Sequence, residues 1–194
     1  VKLAYGGDTA RFELKVRIPA WAAGATVTVN GVAQEGVATG DYYTIERTWV
    51  EGDVVDLEFP SEIKTSTWYN DSVAVEKGAL IYGLKIEEDW RTYESNDARE
   101  LKVEHQPQSP LREVYPASAW NYGLIVNPDD PASSFEVVES EDVALQPFSS
   151  ETAPVVLKAK GQLIPDWTYD GNLAGPQPYG PTAYDESLVR DIEL

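Results

Sequence analysis

The stretch Arg11-Phe12-Glu13-Leu14-Lys15-Val16-Arg17-Ile18 alternates without a break. Phe12, Leu14, Val16 and Ile18 fall on one side of an extended chain and the charged residues on the other. That is a strand with one buried and one wet face, and no helix can satisfy it. Pro19 has no N–H to give to a ladder, so the strand ends there. Ala25–Val29 predicts a second strand, and Asn30-Gly31 suits a type I′ turn, in which both central residues need positive φ. Tyr42–Trp49 predicts a third strand, Glu51-Gly52-Asp53 a second tight turn, and Val54–Phe59 a fourth strand closed by Pro60. Such turns favour hairpins over crossovers, hence antiparallel pairing. Trp21 and Trp49 are expected in the core, because large aromatics supply much of the buried area of a small sandwich.

Further along, Ser61–Ser72 is polar and predicts a linker, which sets the division at residues 1–66 and 67–194. Its Asn70-Asp71-Ser72 matches a glycosylation sequon, a weak match that carries nothing in a bacterial protein. Ala79–Ile86 predicts a strand that ends in the charged loop Glu87–Arg91. Leu101–Glu104 is a short strand candidate. Gln106–Ala119 holds Pro107, Pro110 and Pro116 and predicts a constrained loop. Trp120–Val126 and Phe135–Val138 predict strands around an Asn-Pro-Asp-Asp-Pro turn. Along the first of them Trp120, Tyr122, Leu124 and Val126 share one parity and predict an apolar core face, with Asn121 toward water. Val155–Lys160 sets Leu157 and Ala159 against Lys158 and Lys160. Pro165–Ala183, rich in Gly, Pro and Tyr, predicts a long ordered loop. The fold class expected is all-β: two consecutive antiparallel β-sandwich (jelly-roll-like) units, the first complete or cut short. Val1–Tyr5 and Ile192–Leu194 both stop in strand-like patterns, so both ends are expected to be cuts within a longer protein.

The chain has 194 residues, enough to bury a real core. Acidic residues number 33 against 15 basic, a formal net charge of −18. Phosphate backbones and anionic membranes need a basic footprint, so no nucleic-acid and no membrane partner is expected. No run approaches the ~18 apolar residues of a membrane span, which predicts a soluble protein, and no signal peptide opens at Val1. The sequence assigns no compartment. Cysteine is absent, which removes disulfides, thiolate metal sites and cysteine nucleophiles together. The single histidine, His105, lies between Glu104 and Gln106 on a polar stretch and reads as a surface residue. Glu87-Glu88-Asp89 and Asn127-Pro128-Asp129-Asp130 offer calcium-type oxygens without specific loop spacing, and read as solvated turns. No cofactor and no metal is expected.

Aromatic residues are the richest candidates. Six Trp and 11 Tyr exceed what the cores need. Trp68, Tyr69, Trp90, Tyr93, Tyr115, Trp120, Tyr122, Trp167, Tyr169, Tyr179 and Tyr184 fall largely in loops. Exposed rings serve sugar-binding sandwiches as stacking platforms, and Trp68, Tyr69, Trp90 and Trp167 are the candidate carbohydrate contacts. The bland alternative is that such rings pin loops or meet another domain.

Arg17-Ile-Pro-Ala-Trp21, Val29-Asn-Gly31, Tyr42–Trp49 and Glu51–Pro60, in that order, resemble the region after the catalytic barrel in glycoside hydrolase family 127, the β-L-arabinofuranosidases and relatives. The likeness continues through Ser72–Tyr82, Ser118–Leu124 and Lys160–Trp167. It implies the accessory β-sandwich region, with the catalytic α/α-barrel of the same polypeptide as its partner. Bracing that barrel, walling the substrate cleft and forming a homodimer are the roles it leaves open. Family 127 enzymes use a cysteine nucleophile and a zinc site of cysteines and glutamate. Neither maps onto a chain without cysteine, so the resemblance implies a non-catalytic piece. The rival is an independent carbohydrate-binding module using loop aromatics; a structural or adhesion module has only the sandwich pattern behind it.

Overall fold

The computed structural model describes residues 9–92, 112–147, 149–171 and 173–194. Tyr93, the strand expected over Leu101–Glu104, His105 and the pattern at Val1–Tyr5 lie outside the described residues. What is described is all-β, with sixteen strands joined by turns and three 3-10 turns. The chain divides into two compact units: residues 1–65 with 75–81, and residues 66–74 with 82–194.

In the first unit, β1 (Thr9–Arg17) pairs antiparallel with β4 (Tyr42–Val50) over its whole length. A second sheet sets β2 (Thr26–Val29) between β3 (Val32–Ala33) and β5 (Val55–Glu58). Alternation does what the sequence predicts: Leu14, Val16, Ile45 and Trp49 from one sheet pack with Val27, Val29, Val55 and Leu57 from the other. Trp49 is buried and stacks on Phe12 at 5.6 Å between ring centroids. Trp21 differs from expectation: it is half-buried, its ring edge-on to Phe59 at 6.2 Å.

Two turns lock this unit. Asn30 and Gly31 take φ of 51° and 77°, the positive pair of the predicted β2–β3 turn. The Glu51-Gly52-Asp53 turn, however, does not make a hairpin. β4 and β5 belong to different sheets, and this turn carries the chain from one to the other. The reason lies in Asp53, which is buried where a hairpin turn residue would face water. Its carboxylate accepts from Asn30 Nδ2 at 2.7 Å and from the Val50 N–H at 3.0 Å, with the Arg47 guanidinium 3.6 Å away. Asn30 in turn accepts from the Val54 N–H through Oδ1 at 2.8 Å. One carboxylate thus ties the two turns and both sheets together.

Those bonds hold the Asp53 pKa below the ordinary carboxylate range, the Asn30 amide contributing most and burial opposing. A depressed folded pKa gives stability that is present above the unfolded carboxylate's range and lost as pH falls through the folded value. The melting temperature is therefore expected to drop as pH is lowered below about 4. Asp53→Asn should melt lower at neutral pH and show a flatter acid limb; an unchanged acid limb would contradict the assignment.

Next come β6 (Ile63–Thr67), a 3-10 turn at Tyr69–Asp71, β7 (Val73–Lys77) and β8 (Leu80–Tyr82), with sheet order β6-β7-β8. The polar stretch expected to be a linker thus contains a strand, because its Ile63, Thr65 and Thr67 suit a pleated chain as well as a loop. β9 (Glu88–Thr92) and β10 (Arg112–Pro116) form a two-stranded ribbon where two loops were expected.

In the second unit β13 (Val155–Leu163) is central. Lys158 pairs with both Glu136 and Glu193, and Gly161 with both Leu124 and Arg190. A strand residue has only two edges, so β16 (Val189–Glu193) runs along one edge of β13. Along the other, β12 (Glu136–Glu139) and β11 (Tyr122–Leu124) lie end to end. Leu157, Ala159 and Ile192 are buried, whereas Lys158 and Lys160 face solvent, as the alternation predicts. Gly161 is enclosed: a Cβ there would lie 2.8 Å from Ile192 Cδ1 and 3.3 Å from Tyr122 Cβ. β14 (Tyr169–Asp170) and β15 (Leu173–Ala174) make a small hairpin inside the long Gly/Pro/Tyr loop.

Candidate functional site

The four candidate rings fall at three places. Trp68 and Tyr69 stand at the turn between β6 and β7, 66% and 77% exposed. The turn is built by the sequence Trp-Tyr-Asn-Asp-Ser, with Asn70 and Asp71 both at positive φ, 55° and 56°. Asn and Asp tolerate that region better than other side-chain-bearing residues. The Trp68 N–H donates to the Ser72 carbonyl at 2.8 Å, Ser72 Oγ donates to the Tyr69 carbonyl at 2.8 Å, and Trp68 Nε1 donates to Ser66 Oγ at 2.9 Å. A distant segment joins in. Asn70 Nδ2 donates to the Gln177 carbonyl at 2.9 Å, and the Gly180 N–H donates to the Asn70 carbonyl at 2.9 Å. Between those two anchors lies Tyr179, 73% exposed.

Trp90 lies on the β9–β10 ribbon opposite Val114, both exposed, with its Nε1 donating to Glu88 Oε2 at 2.7 Å. On the other face Arg91 lies 4.2 Å over the Tyr115 ring and pairs with Asp89. That pairing raises the Arg91 pKa further above its ordinary value and keeps it charged. Tyr115 Oη donates to Glu113 at 2.7 Å. The Glu88, Asp89 and Glu113 carboxylates are therefore each engaged by a neighbour on the ribbon.

Trp167 is a different kind of residue. It is half-buried, its Nε1 donates to the Gly175 carbonyl at 3.0 Å, and its ring meets Trp120 edge-on at 5.2 Å. Tyr169 closes on the same Trp120 ring at 5.4 Å. Asn121 Nδ2 donates to the carbonyls of Ile164 and Trp167 at 2.9 and 3.1 Å. Asn121 thus turns to loop carbonyls and is part-buried, and Trp120 and Tyr122 are only half-buried, Trp120 before any strand and Tyr122 at the start of β11. The parity argument fails because β11 is only three residues long and Trp120 precedes it. This cluster pins the loop after β13.

Acid–base chemistry has little to stand on among the described residues. An open groove of about 650 Å³ is lined by Gln162, Ile164, Tyr184, Asp185 and Glu186. Both ends of the Gln162 amide are satisfied, by the Ala183 carbonyl and the Asp185 N–H. Asp185 accepts from the Ser187 hydroxyl and N–H, which pull its pKa down and make it an ionised cap, unsuited to donate a proton. Among the described residues no group of three or more His, Asp or Glu is placed to hold a metal ion. No described helix is long and apolar enough to cross a membrane.

Sequence reading named Trp68 and Tyr69 but left Tyr179 as one loop ring among many. The bond from Asn70 to Gln177 spans 107 residues, and only the rigid Gly-Pro-Gln-Pro-Tyr-Gly-Pro run at 175–181 hints that its ring is held in place.

Comparison with known proteins places the first unit. Residues 2–61 match the family described as "Beta-L-arabinofuranosidase, GH127 middle domain". The matched segment contains the Arg11–Pro60 run whose motifs resemble family 127, and bears that resemblance out. A solved structure titled "Glycoside hydrolase" shares the fold at TM-score 0.50 and 22% identity, covering 94% of this chain. This chain spans only 24% of that structure's length. A GH127 β-L-arabinofuranosidase from Geobacillus stearothermophilus T6 aligns at 20% identity and TM-score 0.46, covering 96% of this chain and 24% of its own. No curated protein matches the chain.

Proposed function

We propose that this chain is the non-catalytic accessory β-region of a family 127-like glycoside hydrolase, and that it braces the catalytic α/α-barrel of the same polypeptide. The observation that carries this reading is the GH127 middle-domain match over residues 2–61, set beside the small share, 24%, of the solved glycoside hydrolase that the chain spans. The chemistry agrees. The family's cysteine nucleophile and cysteine-bearing zinc site have no counterpart in a chain without cysteine.

A surface for the barrel is offered by the β9–β10 ribbon. A two-stranded ribbon is marginal in water by itself, and this one leaves Trp90 (56% exposed) and Val114 uncovered on one face. Covering that face would stabilise both partners. An independent carbohydrate-binding module is the second reading, and the exposed Trp68 and Tyr69 favour it.

The purified chain is expected to release no nitrophenol from 4-nitrophenyl β-L-arabinofuranoside, with or without added zinc. Turnover that co-purifies with the chain through successive columns would overturn the non-catalytic assignment.

A further inference from the structure

We propose that the turn at Trp68–Asp71 and the loop at Gln177–Gly180 form one binding site for a neutral oligosaccharide, with Trp68, Tyr69 and Tyr179 as stacking surfaces. All of these residues belong to the second unit. Three large rings are 66–77% exposed, and the backbone that carries them is tied to a segment 107 residues away. Asn70 and Asp71 are consecutive at positive φ, an uncommon arrangement without glycine. Asn70 is clamped from the far segment through both its amide and its carbonyl. Rings on such a turn are pre-organised, so a ligand need not meet the cost of ordering them.

The kind of ligand follows from what surrounds the rings. Beside the rings, Ser66 Oγ accepts from Trp68 Nε1, Ser72 Oγ donates to the Tyr69 carbonyl, and Asp71 follows Asn70 in the same turn. A sugar presents C–H faces edged by hydroxyls, which suits rings interrupted by hydrogen-bonding groups. The core of a protein interface is instead broad and depleted in charge. Stacking platforms also serve single-stranded nucleic acid, but those add a basic groove, and a net charge of −18 repels such a backbone. The same charge disfavours uronate-rich polymers. A neutral glycan remains.

Affinity electrophoresis of the whole chain through gels containing arabinan, arabinoxylan or xyloglucan tests this, with polygalacturonate as the anionic comparison. Retardation is expected in at least one neutral glycan and not in polygalacturonate. Trp68→Ala, Tyr69→Ala and Tyr179→Ala should each weaken it about tenfold or more. Melting temperatures should stay put, because these side chains are exposed. Asn70→Gly keeps the turn's backbone accessible but cuts the side-chain tie to Gln177, and should weaken binding as Tyr179→Ala does. Free migration in all three neutral glycans would overturn the proposal. So would retardation that survives all three ring substitutions, or equal retardation by polygalacturonate. Loss of attachment to the catalytic barrel in the ring variants, with no glycan retardation, would make the patch a protein contact. Because the barrel has its own proposed surface at Trp90, failure here leaves the accessory reading standing.

Discussion

Trp49→Ala is expected to destabilise the chain by about 3–5 kcal/mol, the range for removing a large aromatic side chain from a core. Trp49 is 2% exposed, and it reaches both sides of its sheet pair. Its ring stacks on Phe12, its Nε1 donates to the Phe12 carbonyl at 3.1 Å, and the Arg47 guanidinium lies 5.1 Å from its centroid. Truncation leaves a void between the two sheets, loses the Nε1 bond to the Phe12 carbonyl and removes the surface that steadies Arg47 beside Asp53. Trp49→Phe should recover most of the packing and lose the Nε1 bond, about 1 kcal/mol. Urea unfolding followed by circular dichroism measures both. A Trp49→Ala midpoint close to that of the parent chain would show that the two sheets are not held by this core.

Leu157→Ala should cost about 2–5 kcal/mol, the counterpart in the second unit. Leu157 is fully buried on the central strand β13, and its N–H and carbonyl both pair with Leu194. The backbone bonds survive the substitution, so the loss reports packing alone. Lys158→Ala, one residue along and on the wet face, should change stability by less than about 0.5 kcal/mol. Equal effects at the two positions would mean that the faces of β13 are misassigned.

The strands with long alternation were legible residue by residue. Arg11–Ile18 and Val155–Lys160 gave the right element and, at Leu14, Val16, Ile18, Leu157 and Ala159, the right inward side, with Phe12 left 39% exposed; Tyr42–Trp49 gave the right element. Pairing was less legible. Gly52-Asp53 has the composition of a hairpin turn, and only the inward carboxylate of Asp53, bonded to Asn30, makes it a crossing between sheets. Sequence carries no mark of a bond between turns 23 residues apart. Short strands failed for a related reason: β6, β9 and β10 have no buried residue on either face, and the apolar Trp90 and Val114 of the ribbon stay exposed, so burial leaves no pattern to read.

The candidate site was half legible. Trp68 and Tyr69 stand out as adjacent rings beside an Asn-Asp turn, and the structure leaves both exposed. Trp167 has the same composition around it but is locked by Gly175, Trp120 and Asn121. A ring held for stacking and a ring used as a pin look alike until their hydrogen bonds are known.

The accessory assignment is tested most directly by mixing the purified chain with a separately expressed catalytic barrel from the same reading frame, and measuring complex formation by sedimentation together with the barrel's melting temperature. A one-to-one complex is expected, with a raised barrel melting temperature and a weaker complex for Trp90→Ala. Two species that sediment independently, with the barrel's melting temperature unchanged, would contradict the account.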